Sequence, residues 1–295
     1  MAQQNSLAPY LQNSKIPEFL NCNRIAPNHS RHCSFLPHAH VDRLELFYLA
    51  EGEVTYLVDG YTYPLVAGDL VICNQGVVHG DSWLIPAVNN GYYSYSVAFQ
   101  GVTFIGMPEN TLDYGTADPI LKMGNKNSEA AHLFKSLHTL SNSCPSAELT
   151  CQSLALSILL LAYRQLIFQK ESPPSIQKSN RERIQRDVCT TMRQYMDQNF
   201  REALTLACIG QTFNASEFYL AHLFKDRYDI SPMKYLLKRR LGEAQTCLIE
   251  TEYPVAFIAE SVNAGSPAHF SSIFNKYIGL SPSTYRKNFK SMNVN

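Results

Sequence analysis

Three absences narrow this chain before any motif is read. None of the eight cysteines, at 22, 33, 73, 144, 151, 189, 208 and 247, forms a Cys-x-x-Cys pair. A zinc ribbon or a thioredoxin-like redox centre therefore has no support. No apolar run reaches membrane-spanning length; the strongest, LALSILLLAY, covers 154–163. The N-terminal stretch MAQQNSLAPY is polar and carries no apolar signal core. These absences point to a reducing cytoplasmic compartment, with cysteines serving as small buried hydrophobes and no membrane partner. Net charge is also lacking, since 25 Lys+Arg balance 25 Asp+Glu. That balance hides a split: residues 1–180 hold 10 basic against 14 acidic side chains, and residues 181–295 hold 15 against 11. A basic C-terminal half hints at nucleic acid, although a charge excess of this size also fits an ordinary solvated surface.

What is present divides in two, as a length of 295 residues suggests. Between about 19 and 105 the chain is rich in Val, Tyr, Phe and glycine-bearing turns. ELFYLAEGEVTYLVDGYTYPLVAGDLVIC reads as short strands broken at Glu51-Gly52, Asp59-Gly60 and Ala67-Gly68. Regular turn signals of this kind indicate an antiparallel barrel or sandwich. Within it, His38-Ala39-His40 is followed by Glu45 and Gly52, then by Gly68 and His79. Residues i and i+2 of a strand share a face, so His38 and His40 can point into one interior.

This spacing resembles the cupin motif, with Asn74 standing where the second half of that motif usually has proline. The resemblance implies that His38, His40, Glu45 and His79 ligate iron, manganese or a similar divalent transition metal. Three imidazoles and a carboxylate suit such an ion. No other cofactor is expected. Two alternatives stand beside the metal: the histidines are simply hydrogen-bonded, or the interior holds a small organic effector. For an effector site the same four residues are joined by Trp83, Tyr93 and Tyr95. Alternation in GYYSYSVAF places Tyr93 and Tyr95 on one face and Ser94 and Ser96 on the other, and aromatic faces with hydroxyls suit a sugar or similar polar molecule. Each tyrosine also fits a packing role.

After 127 the period becomes helical. SEAAHLFKSLHTLSN (128–142) has one apolar stripe, whereas AELTCQSLALSILLLAYRQLIFQ (147–169) is apolar on most faces. A helix of the second kind needs partners on more than one side. The barrel supplies one, and a second copy of the chain or the monomer's own interior supplies the other. The polar, proline-containing segment 171–180 reads as a linker.

Beyond the linker one sentence is written twice. LFKDRYDISPMKY (223–235) and IFNKYIGLSPSTY (273–285) share Phe224/Phe274, Ser231/Ser281, Pro232/Pro282 and Tyr235/Tyr285. Each copy reads as a short helix, a tight turn, a second helix with a serine N-cap (Ser216, Ser266), and an exit where Ser-Pro caps and starts the next helix. That is helix-turn-helix grammar, and the second helix of such a unit can enter the major groove. YLLKRRLGEAQTCLIE (235–250) links the copies as a continuous helix, with Lys238 and Arg239 available to phosphates or merely solvated.

The segments SEFYLAHLFK, ISPMKYLLKRRLGEAQTCL and VAFIAESVNAGSPAHFSSIFNKYIGLSPSTYR make residues 184–287 resemble the AraC/XylS-family DNA-binding domain. The resemblance covers about a third of the chain. It implies a bacterial transcription regulator, often an activator, acting as a homodimer on double-stranded DNA, with an RNA polymerase contact and a nucleoid location. It also implies a small effector in the N-terminal barrel and no catalysis. Asp229 and Asn263-Ala264 depart from the family's usual Gly and Gly-Phe. The expected DNA-contacting residues are Ser216, Phe218, Ala221, His222, Lys225, Lys238 and Arg239, with Ser266, Ala268, Ser271 and Ser272 in the second unit. The small side chains of that second helix imply few base contacts there. The expected architecture is α+β: a cupin-like barrel with two dimerisation helices (1–170), a linker (171–180), and a double helix-turn-helix domain (181–295). The competing function is a cupin metalloenzyme or metal sensor carrying a DNA-binding tail.

Overall fold

The computed structural model describes residues 16–26, 36–81, 91–112, 118–124, 127–170 and 180–292. Among these residues eight strands come first: β1 (Glu18–Ile25), β2 (Leu44–Glu51), β3 (Glu53–Val58), β4 (Tyr61–Val66), β5 (Asp69–Cys73), β6 (His79–Asp81), β7 (Tyr93–Gln100) and β8 (Ile120–Lys122). They form two antiparallel sheets, one of five strands in the order β1-β7-β2-β5-β8 and one of three in the order β4-β3-β6. The glycine turns are where the sequence put them. Asp59 and Gly60 both have positive φ, 50° and 80°, which gives β3 and β4 the twist of a tight hairpin.

Alternation divides the five-stranded sheet into two faces. In β2, Leu44, Leu46 and Tyr48 enter the larger core, while Phe47 and Leu49 point into the barrel. In β7, Tyr95, Val97 and Phe99 join the same larger core. Helices α1 (Asn127–Ser143) and α2 (Glu148–Lys170) cover this outer face, separated by a 3₁₀ turn at Pro145–Ala147. Tyr48 stacks on Phe134 at 4.9 Å, and its hydroxyl donates to Asn127 Oδ1 at 2.5 Å. Phe104 stacks on Tyr163 at 4.1 Å. Helix α2 is long and apolar enough to cross a membrane, yet its Ala155, Ile158, Leu159 and Ala162 are buried against the barrel. Its far side leaves Leu149, Ile167 and Phe168 exposed.

Seven helices follow among the described residues: α3 (Asn180–Gln198), α4 (Leu206–Thr212), α5 (Glu217–Tyr228), α6 (Pro232–Glu250), α7 (Val255–Ser261), α8 (Pro267–Ile278) and α9 (Pro282–Met292). The expected linker lies, but for Asn180, outside the described residues. The repeated sentence is a repeated structure. Ser216 Oγ accepts from Tyr219 N at 3.2 Å to cap α5, and Ser266 Oγ accepts from His269 N at 3.3 Å to cap α8. In the turns, Ala215 N donates to Gly210 O and Ala264 N to Ala259 O, both at 3.0 Å. Asn214 and Asn263 supply left-handed conformations at φ 48° and 51°, as short amide side chains can. The second turn carries one extra residue, Gly265, before its capping serine. Asp229 ends α5 in the left-handed region (φ 53°), the role Gly279 (φ 83°) plays for α8. One expected cap fails: Ser231 occupies the N-cap position of α6 but makes no side-chain cap bond. Ser281 does cap, accepting from Thr284 N at 3.2 Å.

Each unit has its own core, built on Phe224 and Tyr235 in the first and on Phe270, Phe274 and Tyr285 in the second. The barrel touches both. Arg193 of α3 pairs with Asp59 in the β3–β4 turn, and Arg227 of α5 lies 4.7 Å above the Tyr61 ring. Leu36 is buried in the second unit's core. Arg43 bonds Glu250 at 2.9 Å.

Candidate effector cavity and nucleic-acid interface

A cavity of about 80 Å³ opens on the inner face of the barrel. That is room for several water-sized groups. His38, His40 and Glu45 line it together with Arg24, Asp81 and Ser96, and Phe47, Tyr56 and Tyr92 give it aromatic walls. The sequence pattern thus brings its histidines together. Backbone bonds between His38 and His79 (N–H to O, 2.9 and 2.8 Å) hold the two residues side by side. Ring centroids are 5.0 Å apart for His38 and His40, 4.6 Å for His38 and His79, and 5.5 Å for His40 and His79.

The tautomers follow from the neighbours. His38 Nδ1 lies 3.1 Å from Leu36 O and His79 Nδ1 2.9 Å from Val77 O. A carbonyl only accepts, so each Nδ1 carries the proton and each Nε2 is left as a bare lone pair. Burial drives the His38 imidazole well below its ordinary range, helped by the neighbouring histidines. Burial takes His79 down to about 4, against the opposing pull of Glu45. His40 goes the other way: burial works against the charged ring, but Glu45, with Oε2 3.2 Å from Nε2, raises it above its usual value. Glu45 is itself buried, yet the imidazoles hold it down to about 2. The Nε2 atoms of His40 and His79 make no aligned hydrogen bond. One donor atom from each of the three histidines falls within 4.8 Å of the others. Two imidazoles oriented by backbone carbonyls, with a third paired to a carboxylate beside them, are a donor set that fits a divalent transition ion.

Two expected effector residues are placed elsewhere. Tyr95 faces outward into the helix-covered core, edge-on to His138 at 5.8 Å, and Tyr93 packs against the same core. They do share a face, but it is the outer one, because β7 turns Ser94, Ser96 and Ala98 inward. Trp83 lies outside the described residues. The aromatic wall comes instead from Phe47, Tyr56 and Tyr92. Phe47 and Tyr56 stack at 4.4 Å, and the Tyr92 hydroxyl donates to Asp81 Oδ1 at 2.8 Å. Tyr92 was legible as the residue two before Ser94, on the serine side of the alternation. The members contributed by the helical half, Gln245, Thr246, Ile249, Glu250 and Phe289, had no local signal, since only the docking of the two halves brings them there.

On the helical half, the outward face of α5 offers Phe218 (83% exposed) and His222, whose rings lie parallel at 6.2 Å. His222 also pairs with Asp226 at 3.3 Å, and Lys225 is exposed. Ala221 is half-buried. On α8, Ala268 and Ser272 are exposed, whereas Ser271 is half-buried and donates to Pro267 O at 2.8 Å. Ser216 and Ser266 are exposed with their oxygens engaged as caps. His269, Lys234 and Lys276 are exposed as well, and nothing in the helix-turn-helix pattern singled them out.

Lys238 and Arg239 are corrections. Both were expected to reach phosphates, and both are buried, at 9% and 3% exposure. The Arg239 guanidinium lies 4.2 Å above the Phe200 ring and bonds Glu243 at 2.9 Å. Burial brings Lys238 down to about 8, with Lys234 adding to the effect. Their positions on α6 face the packed side of the helix, which a linear reading of Lys-Arg-Arg does not reveal. Arg240 is engaged too, donating to the backbone carbonyls of Phe200 and Glu202 at 2.7 and 2.6 Å.

Known proteins bear on both halves. Residues 209–288 match the helix-turn-helix domain family, and residues 26–84 match the cupin domain family. The HTH-type transcriptional regulator YdiP of Escherichia coli K12 is 29% identical over 254 residues, 86% of this chain and 81% of that protein. The lactose operon transcription activator of Staphylococcus xylosus is 24% identical over 83% of this chain and 84% of its own length. The raffinose operon regulatory protein RafR of Pediococcus pentosaceus is 37% identical over 93 residues, 32% of this chain and 34% of that protein.

Proposed function

We propose that this chain is a transcriptional regulator of the AraC type that activates sugar-utilisation genes when a small polar effector occupies its barrel. DNA recognition falls to α5 and α8, two capped helices carried on one linking helix. The carrying observation for effector sensing is the cavity itself. Imidazoles, three carboxylates, an arginine and a serine hydroxyl converge beside aromatic faces, a set that complements the hydroxyls and apolar faces of a sugar. Relatives named for lactose and raffinose operons support the same class. The barrel is read as a sensor that turns over nothing, and the protein as one that works in the cytoplasm on the nucleoid. The test is a footprint of the full chain on the promoters of neighbouring sugar genes, with and without lactose, raffinose and their monosaccharides. Protection of two adjacent major-groove segments about 34 Å apart, altered by one of these sugars, is the expected result. Binding no tighter than to random duplex would sink the regulator reading, and sugar-independent binding would sink the effector class.

A second reading concerns the metal. The bare Nε2 atoms of His38 and His79, with His40 and Glu45 beside them, favour a resident divalent ion held by His38, His40, His79 and Glu45. Bound there, such an ion would supply a Lewis-acidic anchor for a sugar oxygen, and Leu36 O and Val77 O would orient the His38 and His79 rings that hold it. Elemental analysis of purified protein should find a transition metal in wild type and none in His40→Ala.

The exposed residues Leu149, Ile167 and Phe168 on the outer side of α2 support a homodimer built on α1 and α2. Sedimentation should give twice the monomer mass, and Phe168→Glu should lower it. An activator of this plan would also meet RNA polymerase.

A further inference from the structure

The barrel alone does not close the effector cavity. Thr246, Ile249 and Glu250 of α6 line it opposite His38, His40 and Glu45. One short extended segment, residues 36–40, joins these two walls. At its start Leu36 is 3% exposed and sits in the second unit's core with Leu241, Ala244 and Tyr285. The Leu36 N–H donates to Gln245 Oε1 at 2.9 Å. The Pro37 carbonyl then passes so close to α6 that a Cβ on Gly242 would lie 2.2 Å from its oxygen. Only glycine permits that approach. Two and four residues beyond Leu36 come His38 and His40, and His38 is tied back to the Leu36 carbonyl at 3.1 Å.

We infer that segment 36–40 is the element through which occupancy of the histidine cluster reaches the DNA-binding half, with α6 as the second wall of the site. The inference rests on reading the cluster as a binding site. Its logic is mechanical. Pro37 fixes one backbone torsion between Leu36 and His38, and the Leu36 carbonyl bond removes more slack. Whatever holds the His38 and His40 rings therefore sets where Leu36 can sit. An occupant that fits only when both walls are in place binds the docked arrangement more tightly and shifts the molecule toward it. The coupling is reciprocal, so weakening the contact at Gly242 also weakens binding at the histidines.

The test uses the full-length protein with zinc ion alone as the probe, since zinc accepts three imidazoles and a carboxylate. Zinc uptake is measured together with amide exchange in peptides covering 36–40 and 241–250. Wild type should bind one zinc and slow exchange in both peptides by about fivefold or more. Gly242→Ala should still bind zinc, more weakly, and lose the slowing at 241–250. Leu36→Ala should do the same and serves if the first variant is poorly folded. His40→Ala should bind no zinc at the site. Zinc binding that leaves 241–250 unchanged in wild type overturns the coupling while keeping the site, as does equal slowing in both variants. No zinc uptake by wild type removes the metal site and the inference with it.

Discussion

Tyr235 and Tyr285 stand fifty residues apart at the same place in the two reading units, and their hydroxyls meet different partners. Tyr235 donates to Asp197 at 2.7 Å, and Asp197 in turn holds Arg193, which reaches Asp59 in the barrel. Tyr285 accepts from Gln245 at 3.1 Å, and the same amide's oxygen takes the Leu36 N–H from the barrel. Each repeat is thus tied to the barrel beyond its tyrosine, by ion pairs of the buried Arg193 in the first and a neutral amide in the second. The outer faces differ as well: where α5 carries Phe218, His222 and Lys225, α8 carries Ala268, Ser272 and Asn275, and its exposed His269 and Lys276 stand at the positions of Tyr219 and Asp226. A repeated fold does not impose repeated chemistry, because the positions that build the core are few and leave the remaining faces free to diverge.

The comparison can be broken first at those ties. Arg193→Met leaves the Asp197 carboxylate buried without its cation and should cost about 3–5 kcal/mol. Gln245→Met removes only neutral hydrogen bonds and should cost about 1–3 kcal/mol. Urea denaturation of the full chain measures both, and equal losses would mean that the two ties are energetically alike. Next comes the DNA face. Phe218→Ala with His222→Ala should weaken specific binding by about 1–3 kcal/mol, read by titration on the footprinted promoter. Ser272→Ala with Ala268→Gly should change it by less than about 1 kcal/mol. The salt dependence sharpens the same point: Lys225→Ala should lower the log–log slope by about 1, and buried Lys238→Met should leave it unchanged. The smallest effect belongs to the turns. Asn263→Gly and Asp229→Gly relieve left-handed backbone at φ 51° and 53° and should shift stability by under about 1 kcal/mol, visible as small changes in the urea midpoint.

Much of this plan was legible because it depends on local signals. Glycine turns, the His-x-His spacing and the serine caps report backbone conformation residue by residue, and so the barrel, the cluster and both helix-turn-helix units could be read directly. Alternation correctly paired Tyr93 with Tyr95 but carries no sign. Which face of β7 is the inside is fixed by α1 and α2 packing on the other, so the tyrosines were assigned to the wrong side. Lys238 and Arg239 failed for a related reason: a charged pair on a helix does not say which side the neighbouring core takes. The second cavity wall, from Gln245 to Glu250, follows from docking between the halves, which leaves no mark in the local sequence beyond Gly242.

Two units of one fold are expected to divide the reading of DNA unequally. Methylation and ethylation interference on the full chain's own promoter tests this division at single-nucleotide resolution. The account predicts base-specific methylation interference in the groove segment facing α5, and chiefly phosphate interference in the segment one turn away facing α8. Equal base-specific interference in both segments would contradict it.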